Sequence, residues 1–214
     1  LESRKREIGN TRFTREFLCV PVSDDTSLFP ARLWQQEGIF QHEVALGMPR
    51  AYWERLGVSQ FYTGHDFAIS SEAGADFSVS IVLGMDAHGN RWIVDIQRQK
   101  GRPYSAQKND ILDIGRKYQP DLMALESNQM QRIFGDELIR TSDLPIWKYT
   151  TTAQGKNSLE NGVPSLRVLL ENGKYRLPRG DARSIEITDQ LITEMASFGY
   201  ENGKLHALSG HDDL

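Results

Sequence analysis

The feature that most constrains this chain is a change in its apolar period. From residue 60 three successive stretches read as strands; from residue 105 helical stretches alternate with short strand-like runs. Gln60-Phe-Tyr-Thr-Gly-His-Asp-Phe-Ala-Ile is rich in aromatic and β-branched residues and predicts a first strand. Ser78-Val-Ser-Ile-Val-Leu-Gly alternates, Asp86-Ala-His-Gly-Asn is a turn cluster, and Arg91-Trp-Ile-Val-Asp-Ile-Gln-Arg is a third strand. The second and third strands therefore predict an antiparallel hairpin.

Ser105 can cap a helix to about Tyr118, with Ile111, Ile114 and Tyr118 on one face and Pro120 as its stop. Asp121-Leu-Met-Ala-Leu-Glu predicts a short buried parallel strand. A helix from about Asn128 to Arg140 would turn Ile133, Phe134 and Leu138 inward. Pro145-Ile-Trp-Lys-Tyr-Thr is the next strand, and residues 158–171 are helical but interrupted by Pro164 and ended by Gly173. Lys174-Tyr-Arg-Leu is strand-like. Asp181 can cap a last helix to about Ser197, burying Ile185, Leu191, Ile192 and Met195. The order β-β-β-α-β-α-β-α predicts an α/β domain: a mixed sheet, antiparallel hairpin plus parallel strands, flanked by helices.

Residues 1–60 differ from this. They begin basic (Arg4, Lys5, Arg6, Arg12, Arg15), contain the loop-like Pro21-Val-Ser-Asp-Asp-Thr-Ser, and offer one short helix at Pro49–Leu56. The expected division is a joining segment over 1–60 and a domain over 61–214. The 214 residues suffice for one good-sized core plus such a segment. The chain does not open with Met and is expected to be part of a longer protein. Cys19 is the only cysteine, so an internal disulfide and a Cys-rich zinc site are both excluded, and a reducing compartment fits. His42, His65, His88, His206 and His211 lack zinc-protease spacing. No apolar run reaches the roughly 18 residues of a membrane span. The net charge of −4 gives no general support for nucleic-acid binding. A carboxylate site would lower net charge without removing local basic patches, so the total carries little weight.

Three acidic positions stand out. Asp66 lies inside the first strand, Glu126 at the end of the fourth, and Asp212 and Asp213 in Ser209-Gly-His-Asp-Asp-Leu. An isolated Asp at a strand edge is ordinarily a cap or surface group, and an Asp pair near a terminus is ordinarily solvated. The order of these acids is more specific. If the first and fourth strands are parallel neighbours, Asp66 and Glu126 project from one sheet edge, where open α/β sheets place their sites. Clustered carboxylates repel and need cations to stay ionised together. Mg²⁺ or Mn²⁺ suits such oxygen ligands, and two ions roughly 3.5–4 Å apart can activate water and stabilise the leaving oxygen of a phosphodiester.

At these residues the chain resembles the nuclease domain of the large terminase subunit of tailed bacteriophages, a ribonuclease-H-like fold. The resemblance rests on Gly64-His-Asp66-Phe-Ala, Gly74-Ala-Asp76-Phe-Ser-Val-Ser, Leu125-Glu126-Ser-Asn and Gly210-His-Asp-Asp-Leu, and spans about residues 61–214. Arg12-Phe-Thr-Arg-Glu-Phe-Leu resembles the stretch that joins that family's ATPase domain to its nuclease. The resemblance implies metal-dependent cutting of double-stranded viral DNA during genome packaging in the host cytoplasm. It assigns metal ligation to Asp66, Glu126 and one or both of Asp212 and Asp213; Asp76 recurs in the family-like pattern and also reads as a turn cap, while His65 and His211 flank the acids and either can approach the site. It also implies an ATPase domain, a portal and a small terminase subunit as partners. The isolated domain is expected to be a monomer.

Lys156, in Gln154-Gly-Lys-Asn, can neutralise a phosphate near the metals. This is not an ATP-binding loop, because Thr150 stands where its first Gly is needed and Asn157 where Ser or Thr is needed. No ATP site is expected in this chain. Arg98, Lys100, Arg102 and Lys108 gather in sequence and can track a DNA backbone. The competing readings are another ribonuclease-H-like enzyme, such as a Holliday-junction resolvase or transposase, and a non-catalytic nucleic-acid or protein-binding module. An actin-like nucleotide fold would need Gly/Thr-rich loops after the first strand, and Phe67-Ala-Ile-Ser-Ser-Glu is not one.

Overall fold

The computed structural model describes residues 27–68, 77–127, 131–158, 160–201 and 204–207. In chain order its elements are α1 (Ala31–Trp34), β1 (Phe40–Gln41), α2 (Arg50–Arg55), β2 (Val58–Asp66), β3 (Phe77–Asp86), β4 (Arg91–Lys100) and α3 (Tyr104–Tyr118). There follow β5 (Leu122–Glu126), α4 (Gln131–Thr141), β6 (Ile146–Tyr149), α5 (Ala153–Lys156), α6 (Val163–Glu171), β7 (Tyr175–Pro178), α7 (Ala182–Ser197), β8 (Phe198–Glu201) and β9 (Lys204–Ala207). Seven strands form one sheet in the order β1-β7-β4-β3-β2-β5-β6, and β8 and β9 form a separate hairpin. β2, β3 and β4 are antiparallel neighbours, whereas β5 and β6 continue from β2 in parallel. This is the expected mixed sheet flanked by helices.

The β3–β4 turn is organised by one carboxylate. Asp86 accepts hydrogen bonds from the backbone N–H groups of His88 and Asn90, from Asn90 Nδ2 and from Trp92 Nε1. Partial burial pushes its pKa up, but the bonds from Asn90, Trp92 and His88 outweigh it and hold it at about 2, below the ordinary 3.8. A carboxyl held lower in the folded than in the unfolded chain stabilises the fold above the unfolded value. That contribution is lost as pH falls from about 4 towards about 2. The Asp86→Asn variant is expected to show a shallower acid limb in denaturant titrations over this window.

The sheet buries both faces. On one, Phe61, Phe67, Val82, Met123 and Leu125 pack with Trp53 of α2, Ile111, Ile114 and Tyr118 of α3, and Phe134 and Leu138 of α4. On the other, Ile93, Ile96 and Leu177 pack with Trp34 of α1, Leu170 of α6, Leu191 of α7, and Phe198 and Leu205 of the terminal hairpin. A bulge in β4 decides which residue goes where. Val82 pairs with Asp95 but Leu83 with Ile93, so Val94 is extra. The alternation is reset there. Ile93 and Ile96 consequently share a face, and Asp95 turns towards Tyr118 on the other.

Residues 27–60 are built into this body. Leu28, Phe29, Trp34 and Ile39 belong to the second core, Trp53 to the first, and β1 pairs with β7. The expected boundary at residue 60 falls within β2.

Three helical details differ from expectation. The helix expected to be capped by Ser105 instead begins at Tyr104 after Pro103, with no side-chain cap. Ile133 is 70% exposed, because Phe134 and Leu138 take the inward stripe and an adjacent residue is rotated by about 100°. In α7 the buried stripe begins with polar residues, Ser184 and Thr188, before Leu191. The Ser184 hydroxyl accepts from the Leu46 N–H and the Thr188 hydroxyl donates to the Ser184 carbonyl, so both are satisfied inside and Ile185 is turned out. The Asp181 cap forms as expected, its Oδ1 accepting from the Ser184 N–H at 2.7 Å.

Candidate active site

Asp66 is the last residue of β2 and Glu126 the last of β5. Asp66 was expected in mid-strand; the strand ends with it, and it is exposed, so it escapes the desolvation cost of a buried position. The parallel pairing sets His65 opposite Leu125, so the next residues on each strand, Asp66 and Glu126, emerge side by side. Asp66 is also opposite Val79 on β3, and Glu126 is opposite Tyr149, the last residue of β6. Side chains alternate along a strand. Phe61, Phe67 and Leu125 point into the first core, so Asp66, Glu126 and Tyr149 share the opposite face. There they line a cleft of about 910 Å³, together with Trp147, Lys156 and Asn161. The site sits at the carboxyl ends of parallel strands.

The electrostatics agree with this proximity. Tyr149 has its pKa pushed up to about 12, first by burial and then by the negative charges of Glu126 and Asp66. It therefore stays a neutral phenol beside the acids and adds no third negative charge at neutral pH. Among the described residues no group of three His, Cys, Asp or Glu side chains gathers to hold a metal ion. Asp76, His211, Asp212 and Asp213 lie outside the described residues.

His65, adjacent to Asp66, points the other way. Its Nε2 lies 2.7 Å from Thr63 Oγ1, its Nδ1 lies 2.7 Å from Ser80 Oγ, and its ring stacks on Phe67. Burial lowers its pKa to about 3, so it is a neutral imidazole locked inside the sheet layer.

Lys156 ends α5 and lines the cleft, its Nζ lying 5.2 Å from the Phe198 ring. The turn that carries it is tight. The Lys156 N–H donates to the Thr152 carbonyl, the Ser158 N–H to Gly155, and the Gly162 N–H to Ser158. A Cβ on Gly162 would come within 2.5 Å of the Gly155 carbonyl oxygen and 2.6 Å of that of Lys156. These neighbours are backbone and cannot swing aside. Gly162→Ala is therefore expected to cost about 1–3 kcal/mol of stability, read from the denaturant midpoint.

The four basic residues grouped in sequence do not form one free strip. Arg98, on the cleft's side of the sheet because of the β4 bulge, pairs with Glu194 at 3.2 Å and stacks over Phe77 at 3.4 Å. Lys100 lies over the same ring at 4.3 Å. Arg102 donates to both carboxylate oxygens of Asp110, and Lys108 pairs with Glu137 at 2.5 Å. The expectation overlooked Tyr149 and Trp147. Their signal was present in the alternation Ile146-Trp-Lys-Tyr149 on a strand ending level with Glu126, but it becomes legible only with the β5–β6 register.

Residues 63–214 match the family of the terminase RNaseH-like domain. Curated protein sequences yield no match. Among solved structures, the chain is similar to the large terminase nuclease of the thermophilic phage G20c. The form with bound magnesium is 19% identical, with 90% of this chain and 93% of that chain covered and a TM-score of 0.60. The form with bound cobalt is 18% identical over the same shares, also at 0.60. A third form of that nuclease is 19% identical over 88% and 92%, at 0.59. At such identities the likeness is one of fold.

Proposed function

The chain belongs to the terminase RNaseH-like domain family, and from that premise we propose that it is a divalent-metal-dependent endonuclease cutting double-stranded DNA during viral genome packaging. The observation that carries this reading is the pair Asp66 and Glu126, ending adjacent parallel strands and facing one cleft. The donor set fits the cofactor. Two neighbouring carboxylates with a phenol kept neutral beside them offer hard oxygen ligands, which suit Mg²⁺ or Mn²⁺. Asp66 and Glu126, with one or both of Asp212 and Asp213, would hold two such ions; Asp76 and His211 would stand beside them. The chemistry such ions would supply there is activation of a water nucleophile and stabilisation of the leaving oxygen.

The chain's own residues do the rest. Lys156 supplies positive charge across the cleft to the phosphodiester. Tyr149 closes the end of the carboxylate row without adding charge. The N-terminal segment is proposed to join this nuclease to an ATPase domain, its later part, residues 27–60, being packed into the nuclease body. The proposed partners are double-stranded DNA, a portal and a small terminase subunit, and the proposed place of action is the host cytoplasm. The test is supercoiled plasmid incubated with the protein in Mn²⁺, in Mg²⁺ and in EDTA. Nicked and linear DNA in the metal lanes alone is the expected result. Plasmid left intact in both metals overturns the reading.

A further inference from the structure

The cleft has a second, aromatic station. Behind the carboxylate row lies a cross-strand row two residues earlier: Ile81, Gly64, Ala124 and Trp147, on β3, β2, β5 and β6. Its two central positions carry the smallest side chains, and a Cβ built on Gly64 meets nothing within 4 Å. The row thus forms a low floor open to the cleft. At its end stands Trp147, 54% exposed although tryptophan is ordinarily among the more buried residues. The indole does not dangle. It stacks on Tyr149, ring centroids 5.6 Å apart and planes 24° apart, and Tyr149 is the neighbour of Glu126. Val163 and Leu166 add apolar wall to the same cleft. A pre-set flat aromatic face beside an empty floor is the surface a flat aromatic ligand needs.

The spacing identifies that ligand. Two residues along a strand is about 6.6 Å. A phosphodiester held through cations at Asp66 and Glu126 would carry its base one sugar away, on the same scale. We propose that Trp147 is a stacking platform for one unpaired nucleobase of the strand being cut, the base lying over Gly64 and Ala124. This inference rests on the nuclease reading for where the phosphate lies. Inside a duplex both faces of a base are covered, so the base must first leave the stack, at a cost in free energy. Stacking on an aromatic side chain recovers part of that cost and favours no particular base. The site therefore favours frayed, mismatched or single-stranded DNA over fully paired DNA, with little sequence preference.

The test measures binding with Ca²⁺ in place of Mg²⁺, so that a cation can bridge the carboxylates to the phosphate, under conditions where a gel shows no cutting. The probe is a short single strand carrying one 2-aminopurine, whose emission is quenched when it stacks on an indole. The wild-type chain is expected to bind and quench it. Trp147→Ala is expected to weaken binding roughly five- to hundred-fold and to lose the quenching, while Trp147→Phe keeps most of the affinity. Gly64→Leu, which fills the floor, is expected to weaken binding in the same range. Thermal melts report whether each variant folds; should Trp147→Ala fail to fold, Trp147→Phe quenching and Gly64→Leu affinity decide. Wild-type affinity and quenching in Trp147→Ala, wild-type affinity in Gly64→Leu, or no binding of the single strand by the wild-type chain overturns the proposal. Intact plasmid alongside Trp147-dependent quenching would instead overturn the nuclease reading alone.

Discussion

Alanine at Asp66 or at Glu126 is expected to lower plasmid cutting in Mn²⁺ by a factor of about 100 or more, and each change alone should suffice. Removing a group that merely supports a metal ligand typically costs 10- to 100-fold in metal affinity or activity, so losing a ligand itself sets that range as a floor. The two carboxylates act on one centre, so the double variant should be little worse than either single one. Stability should move the other way or not at all. Asp66 is exposed at a strand end, and without cations the neighbouring carboxylates repel. Loss of activity with an unchanged or slightly raised melting temperature is therefore the expected signature. Calorimetric titration with Mn²⁺ adds a second readout, in which the variants should bind weakly. Cutting by either variant at the wild-type rate would remove that residue from the site.

The largest loss of stability is expected from Asp95→Ala, at about 3 kcal/mol. Asp95 is 3% exposed and accepts a hydrogen bond from the fully buried Tyr118 hydroxyl at 2.9 Å. Arg183 reaches it at 3.2 Å and Lys117 at 3.9 Å. The phenol's pKa is raised by burial and by the Asp95 charge, so it remains a donor. Truncating Asp95 strands that donor, at about 1–3 kcal/mol, and leaves space behind it. The two cations matter less, because Arg183 and Lys117 are 49% and 40% exposed and can return to water. That separation is testable. Combining Asp95→Ala with Tyr118→Phe should cost clearly less than the sum of the two single changes, whereas combining it with Lys117→Ala should be nearly additive. Urea unfolding followed by fluorescence gives all the required values.

Much of the fold is legible in the sequence because it rests on local signals. The β3–β4 hairpin announces itself by alternation and by the Asp86 turn cluster, and the last helix by the Asp181 cap. Glu126 stands out in the sequence because it ends a short apolar run, and Asp66 because an Asp is out of place inside a strand-like run; that the strand ends with Asp66 is seen only in the structure. What escapes is what depends on distant partners. Residues 27–60 look like a joining segment because β1 is short and pairs with β7 near the other end of the sequence. Arg98 looks like part of a basic strip because counting by twos cannot foresee the extra residue Val94, which turns it towards Glu194. Arg102 and Lys108 look available until Asp110 and Glu137 are found beside them. Trp147 reads as an ordinary strand residue until the pairing of β6 with β5 sets it in the cleft. Ser184 and Thr188 are missing from the expected buried face of the last helix because sequence alone does not show the Leu46 N–H waiting for Ser184.

The inward peg formed by His65 has a consequence for how this site can change over time. His65 is held between Thr63 and Ser80 on one side of the sheet, and Asp66 leaves on the other. Inserting or deleting a single residue between Phe61 and Asp66 would exchange the two: a carboxylate would be driven into the Phe67 and Leu125 layer, and an imidazole would emerge beside Glu126. Loops elsewhere can lengthen by one residue at a time. This strand can take an added residue only where a bulge absorbs it, as at Val58–Gln60, or where a paired insertion restores its parity. The parity of β2 between Phe61 and Asp66 is thus as much a requirement of the site as the acid the strand ends on.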